Sequence, residues 1–342
     1  MALYLTFQIM LNPLKYNRNF DKLSYDEKIL LDEAKQSIAD FVESSPEISD
    51  VNFATRNAHA KTHSVLQGVL KINPNLCPDI KYLFDKEQYD IVARVSNANM
   101  KISKKQKQIP AYGFAFKIKD DAGRTIANYP LVNFPLFPVN SPSVFLKLFT
   151  NINRFYLKKI KTFFPLLRSL YKILPSCISK DFVSEVFKFI KKRNNFILSH
   201  EFYSVGAYRL DEKIVKIKIV PVNVPTKFIR KGSDRKKIRT YFKDADYSAD
   251  VFIQICFDLQ NQPINKLNVH WKDSPDILLG QINFEKNSVL NPNNCEQELL
   301  SFNPFESAAI FQPVGKIQKL RDEAYKVSLQ TRKKINKLLK YK

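Results

Sequence analysis

Glycine, histidine and cysteine are scarce in this chain, and each shortage excludes a class of function. With only 7 Gly in 342 residues, there is neither a GxGxxG nor a GxxxxGK[ST] string, so the usual glycine-rich phosphate cradles are missing. Cys77, Cys177, Cys256 and Cys295 are scattered without a CxxC pair. That spacing argues against a disulfide framework or structural zinc and favours a reducing, cytoplasmic setting. The histidines His59, His63, His200 and His270 form no HExxH or HxH pattern, which removes the common helix-borne zinc site. No stretch approaches the roughly 20 apolar residues of a membrane span. Met1–Lys15 has no basic leader, long apolar run or small-residue cleavage site, so no secretory signal is expected.

Acidic residues are also in deficit: 33 Asp+Glu against 55 Lys+Arg leave a formal charge of +22. A basic excess suits nucleic acid, an anionic membrane surface or an acidic ligand, and charge alone does not choose among them. What is abundant is core material. Hydrophobic residues make up 44% of the chain, 27 Phe included, which excludes global disorder.

Ser24-Tyr25-Asp26-Glu27 is a capping-box pattern, and apolar residues from Ile29 to Val42 recur at helical spacing, predicting a helix over 24–43 closed by Pro46. The period then changes. Short β-branched or aromatic runs predict strands at Thr62–Ile72, Tyr89–Ser96, Gly113–Lys119, Ala127–Phe137, Glu201–Val205, Ile214–Val222, Val251–Leu259, Leu267–Lys272 and Ile277–Phe284. Such a series suggests an antiparallel barrel or sandwich. Pro142–Phe196 reads as about three helices divided at Pro165 and Pro175, and Ile317–Leu339 as a terminal helix. The stretches Lys101–Gln108 and Lys227–Lys243 are charge-dense and read as solvated. The division expected is an amino-terminal arm and helix, 1–50, and one domain, 51–342, with a basic helical insertion at 145–196.

Five strings carry polar residues of chemical interest. They are Arg56-Asn57-Ala58-His59-Ala60-Lys61, Val92-Ala93-Arg94-Val95-Ser96, Tyr112-Gly113-Phe114-Ala115-Phe116-Lys117, Val132-Asn133-Phe134-Pro135-Leu136-Phe137, and Arg321-Asp322-Glu323-Ala324-Tyr325 with Arg332 beyond it. Read singly, Asn133 and Ser96 are ordinary strand ends, and arginines on a helix are ordinarily surface residues. On a helix Arg321 and Tyr325 share a face.

In this collinear order the strings resemble those of haem catalases. The first resembles the segment with the distal histidine, and the last, R-x-x-x-Y-x6-R, resembles the proximal helix whose tyrosine ligates haem iron. Ser204–Arg209 and Phe302-Asn303-Pro304-Phe305 resemble segments of the short bacterial catalase-related haem proteins, which lack the wrapping and carboxy-terminal parts of full catalases. The resemblance implies an α+β fold, a catalase-like antiparallel β-barrel of about eight strands with a helical insertion and a carboxy-terminal helix. It implies haem b (iron protoporphyrin IX) as cofactor and a catalase- or peroxidase-type oxidoreductase acting on hydrogen peroxide or an organic or lipid hydroperoxide. Position by position, it implies His59 as distal acid/base, Asn133 as distal amide and Ser96 as the hydroxyl that orients His59. Tyr325 would be the axial iron ligand supported by Arg321, and Arg56, Arg94 and Arg332 would meet the propionates.

There are departures. The acidic residue that lines the narrow peroxide channel of catalases has no counterpart, and Tyr112 stands where catalases have Arg. Alternatives kept open are a fatty-acid hydroperoxide-converting enzyme, against which Ala58 leans weakly, and a non-catalytic haem carrier. A nucleic-acid-binding barrel rests on charge and aromatics alone and is not expected. The insertion, with twelve Lys/Arg against Asp181 and Glu185 between residues 145 and 196, is a candidate peripheral contact with anionic membrane. A homo-oligomer is compatible with the resemblance.

Overall fold

The computed structural model describes residues 12–103, 109–228, 232–290 and 294–340. Alternating and continuous apolar runs form eight strands: β1 (Thr62–Ile72), β2 (Gln88–Asn97), β3 (Tyr112–Lys119), β4 (Thr125–Val132), β5 (Phe202–Tyr203), β6 (Lys213–Val222), β7 (Tyr247–Ile255) and β8 (Ile277–Phe284). Every neighbouring pair is antiparallel, in the order β5-β4-β3-β2-β1-β8-β7-β6, and β6 pairs back onto β5 to close the ring. Closure leaves the barrel without an open edge. Three short segments, Ala207–Leu210, Val289–Leu290 and Pro313–Val314, pair onto its rim.

Among the described residues seven α-helices of six residues or more accompany the barrel: α1 (Tyr25–Glu43), α2 (Pro142–Lys158), α3 (Phe163–Cys177), α4 (Lys180–Lys192), α5 (Asp234–Asp244), α6 (Asn294–Leu299) and α7 (Lys316–Lys340). Ser24 caps α1 with the full capping box, its hydroxyl accepting from Glu27 N and the Glu27 carboxylate accepting from Ser24 N. The apolar stripe of α1 then meets α2 and α7. Ala34 packs with Leu146 and Leu320, and Ile38 and Val42 pack with Phe149, Ala324 and Val327. This three-helix layer faces the outer side of β2, β3 and β4 across the cavity described below.

The structure departs from the sequence pattern at several places. The stretch Leu267–Lys272 forms no strand. It is an irregular loop held by side chains, with Gln262 Nε2 donating to Lys272 O, Trp271 Nε1 to Pro263 O, and Leu267 and Trp271 buried in satellite clusters. The strand expected to run to Phe137 stops at Val132, where Pro135 and Pro138 cannot donate to a ladder. The strand expected over Val251–Leu259 lies instead at Tyr247–Ile255. Pro165 and Pro175 do not divide the insertion. Pro165 sits in the first turn of α3, where a missing N–H costs nothing, Pro175 lies within its last turn, and the breaks fall at Lys159–Thr162 and Ile178–Ser179. Within the charge-dense Lys227–Lys243 stretch, Ser233 caps α5 and Ile238, Tyr241 and Phe242 are buried. The Lys101–Gln108 stretch lies largely outside the described residues.

The barrel interior is filled mainly by aromatics. Phe114 is fully buried among Phe116, Phe202, Tyr247 and Phe284, with ring centroids 5.3–6.4 Å away. Truncating it leaves a hole that four rings cannot jointly refill. Phe114→Ala is expected to lower unfolding stability by about 3–5 kcal/mol, measured by denaturant unfolding; a loss under about 1 kcal/mol would mean the interior collapses freely.

Candidate functional site

One cavity of about 300 Å³ lies between the outer face of β2, β3 and β4 and the helices α1, α2 and α7, at the lower end of the range for small-molecule sites. His59, Ser96, Arg56, Arg94, Arg321, Tyr325 and Arg332 all line it. These come from the segment before β1, from β2 and from α7, up to 276 positions apart in the chain. Much of the remaining wall is apolar, including Phe137, Phe145, Phe149, Leu131, Leu267 and Leu320.

His59 ends the chain's approach to β1 in a left-handed conformation, φ 50°, which a residue with a side chain adopts only when its surroundings impose it. Three contacts do so. Arg94 Nη2 donates to His59 O at 2.5 Å, Ser96 Oγ lies 3.2 Å from Nδ1, and the next residue's N–H, on Ala60, donates to Asn99 O. The ring lies over the backbone of β3. A Cβ on Gly113 would come within 2.7 Å of His59 Nδ1 and 2.9 Å of Ser96 Oγ, so the Gly in Tyr112-Gly113-Phe114 makes room for the imidazole. With Nδ1 engaged, Nε2 is left for the cavity.

On α7, Arg321 and Tyr325 stand one turn apart. Arg321 Nη2 donates to Tyr325 Oη at 3.4 Å, and Nη1 donates to Gln318 Oε1. Helical spacing alone dictates this pairing.

At one side of the cavity three guanidiniums gather around a single carboxylate. Arg56 Nη1 is 2.8 Å from Glu298 Oε2, and Arg332 Nε is 3.8 Å from the same oxygen. Arg332 also donates to Glu298 O and Ser328 Oγ, Arg56 to Leu300 O, and Arg94 to Thr62 Oγ1. Burial and the neighbouring Arg56 charge push Arg332 down to about 9 and hold Arg94 well below the usual guanidinium range. The hydrogen bonds fix the forks, but Glu298 is the one carboxylate facing three positive charges here among the described residues. The site is built for a further anion, and arginine forks suit a carboxylate or phosphate. A flat, apolar, dianionic group such as haem fits it on two counts: the excess buried positive charge and the apolar remainder of the wall.

Asn133 does not join the cluster. Its Oδ1 accepts from Tyr112 N at 2.7 Å and its Nδ2 donates to Pro110 O at 3.0 Å, so both ends of the amide tie the start of β3 to the end of β4, outside the cavity wall. Asn57, in the Arg56–Lys61 string, lines the cavity instead, with a buried Nδ2 that has no partner. Sequence reading passed over it because its neighbour His59 drew the chemical interest. It also passed over Glu298, a lone acid in a short helix that no spacing connects to arginines on other elements. Ser204 and Phe302, from the two further matched segments, also line the cavity.

His59 and His63 are pushed down to about 3, and His200 to about 4, in each case first by burial and then by nearby cations. Neither ring nitrogen of His63 has a partner, and His200 Nε2 has none. All three rings are therefore neutral near pH 7. Below the ordinary value of 6.5 the unfolded chain takes up protons that the native chain refuses, so native stability falls with pH in this window. The melting temperature of the unliganded protein is expected to drop steadily from pH 6.5 to about 5 and His63→Phe to flatten the slope; a melting temperature flat across this window would contradict the assignment.

No family model matches the sequence, and no curated protein matches it at a significant level. Solved structures do match. A fungal catalase has a TM-score of 0.60 at 14% identity, over 82% of this chain and 59% of that chain. Catalase A from Saccharomyces cerevisiae has 0.58 at 16%, over 82% and 62%, and a bacterial catalase has 0.56 at 14%, over 82% and 58%. This chain thus spans about three fifths of the length of those catalases. At such identities the likeness is one of fold: the protein is α+β, a closed eight-stranded antiparallel barrel of catalase-like fold with its terminal helix in place.

Proposed function

We propose that the chain is a haem-dependent, peroxide-metabolising oxidoreductase of the catalase or peroxidase type. The observation that carries this reading is the convergence, on one largely apolar cavity, of an imidazole, a phenol with its own guanidinium, and three further guanidiniums, two of which, Arg56 and Arg332, meet one carboxylate. Arg56, Arg94 and Arg332 would hold the two propionates, and Tyr325 would supply a phenolate oxygen to the iron. When bound, haem would supply the two electrons that cleavage of a peroxide O–O bond takes up, to be returned by a second peroxide or an organic donor.

The chain's own residues provide the proton handling and the electrostatics. His59, neutral because it is buried among cations, can accept a proton at Nε2 from a peroxide and return it to the departing oxygen. Ser96, at Nδ1, fixes the ring's orientation and leaves Nε2 as the working atom. Arg321 donates to Tyr325 Oη and complements negative charge on that oxygen. Asn57 offers the cavity a free amide donor, suited to a peroxide oxygen or to a water that stands in for it. An organic or fatty-acid hydroperoxide is the second reading of the substrate. The extended apolar wall of Phe137, Phe145, Phe149 and Leu267 favours it.

Haemin titration of the purified chain tests the proposal. Binding of one equivalent with a tyrosinate-type ferric spectrum is expected, and Tyr325→Phe should change that spectrum. His59→Ala should keep the haem and lower peroxide turnover by about 10²–10⁴-fold. A chain that takes up no haemin, or one whose turnover ignores His59→Ala, would overturn it.

A further inference from the structure

The helices α3 and α4 carry a surface that the cavity does not explain. More than half of the large apolar side chains exposed among the described residues fall between positions 163 and 190. On α3 they form one stripe, Phe164, Leu167, Tyr171, Leu174 and, just past the helix end, Ile178, spaced three and four apart. Phe164, Tyr171 and Ile178 are 76%, 72% and 74% exposed. On α4, Val183, Phe187 and Ile190 repeat the spacing.

The fully buried side chains of α3 are polar, although the half-buried Ile173 packs on the apolar cluster of Val139, Leu267 and Ile317. Those buried side chains are Ser169 and Ser176, and Ser169 Oγ accepts a hydrogen bond from Asn151 Nδ2 on α2 at 2.8 Å. A helix that turns serines inward and phenylalanines outward has its apolar face matched to something other than its own protein.

Charge selects what that something is. Residues 145–196 carry a net +10, and the exposed cations Lys161, Arg168, Lys172, Lys180, Lys188 and Lys191 border or interleave with the apolar stripes. A second copy of the chain would bring the same positive charge against this one. A nucleic acid would satisfy the lysines and leave the Phe and Leu side chains in water. An anionic bilayer satisfies both, with apolar side chains at the acyl boundary and basic side chains reaching back to the headgroups.

We infer that the α3–α4 face docks peripherally on an anionic lipid surface. The inference stands on this surface and does not rest on the haem reading, although the two are adjacent. Phe145, Leu146 and Phe149 of α2 line the cavity, and α2 in turn packs against α3. A docked molecule would thus hold its cavity one helix away from the bilayer. No helix among the described residues is long and apolar enough to cross a membrane, and interfacial docking requires none.

Flotation of the full chain at physiological salt, with vesicles of phosphatidylcholine alone or with about one third phosphatidylglycerol, tests the inference. The chain should float with the anionic vesicles and remain behind with the neutral ones. The double variant Phe164→Ser with Phe187→Ser should partition about tenfold more weakly or less still, with its circular dichroism and melting temperature unchanged because both side chains are exposed. Three results would overturn the inference: no flotation with anionic vesicles; equal flotation of the double variant, which would mean charge adhesion alone; or a concentration-dependent dimer that the double variant abolishes, which would mean a second copy covers the face.

Discussion

Positive charge is buried at one side of the cavity, and the rest of the site is arranged around that fact. Guanidinium groups leave water at a cost that only charge pairing and full hydrogen bonding offset. Here the carboxylate of Glu298 and the carbonyls of Leu300, Glu298 and His59 supply part of that compensation. The donors and acceptors come from the approach to β1, from β2, from α6 and its following loop, and from α7. The arrangement exists only once the barrel has closed and the terminal helix has docked. Deleting Glu298 would leave three like charges together, which is why a single acid in a short helix matters more here than its sequence neighbourhood suggests.

Arg94 links the two halves of this arrangement. One nitrogen donates to the carbonyl of His59, helping to hold its left-handed backbone, while the guanidinium as a whole adds to the cation cluster. An anion bound at the arginines would therefore act on the imidazole as well, by weakening the cationic repulsion that helps keep His59 neutral. The position of the ring is over-determined by Ser96, Gly113 and Arg94 together, so its reach into the cavity is set before any ligand arrives. Such preorganisation is what makes a hydrogen-bonding group effective at a reacting atom.

Legibility in the sequence followed the range of the interaction that dictates each feature. The paired strands β1, β2, β3, β6 and β8 could be read from apolar periodicity because a half-buried ladder imposes that period directly. Arg321 and Tyr325 could be read from helical spacing, and the order of strings around His59, Arg94 and Gly113 from the catalase resemblance. What could not be read depended on tertiary partners. Leu267–Lys272 has a strand's composition, yet its apolar side chains are buried in satellite clusters, and its backbone is held at single points, Leu267 by Phe137 and Val139 and Lys272 by Asn261 and Gln262, with no continuous ladder. The helix α5 was hidden because its five basic residues outnumber the three that anchor it. Asn133 fits the motif but spends its amide on the backbone of β3, a use no string of residues reveals.

The basic excess that the composition left unassigned divides, in the folded chain, into two populations with opposite physics. The arginines at the cavity are few, buried and held by fixed forks, so they act over hydrogen-bond distances on a ligand of defined shape. The lysines beside α3 and α4 are exposed and long, and act as a field screened within about 10 Å. Only the first population can specify a carboxylate. The second can favour an anionic surface but gives no geometry, so the apolar stripe beside it must decide what kind of surface is bound. Net charge is thus two separate statements about this protein, and burial is what tells them apart.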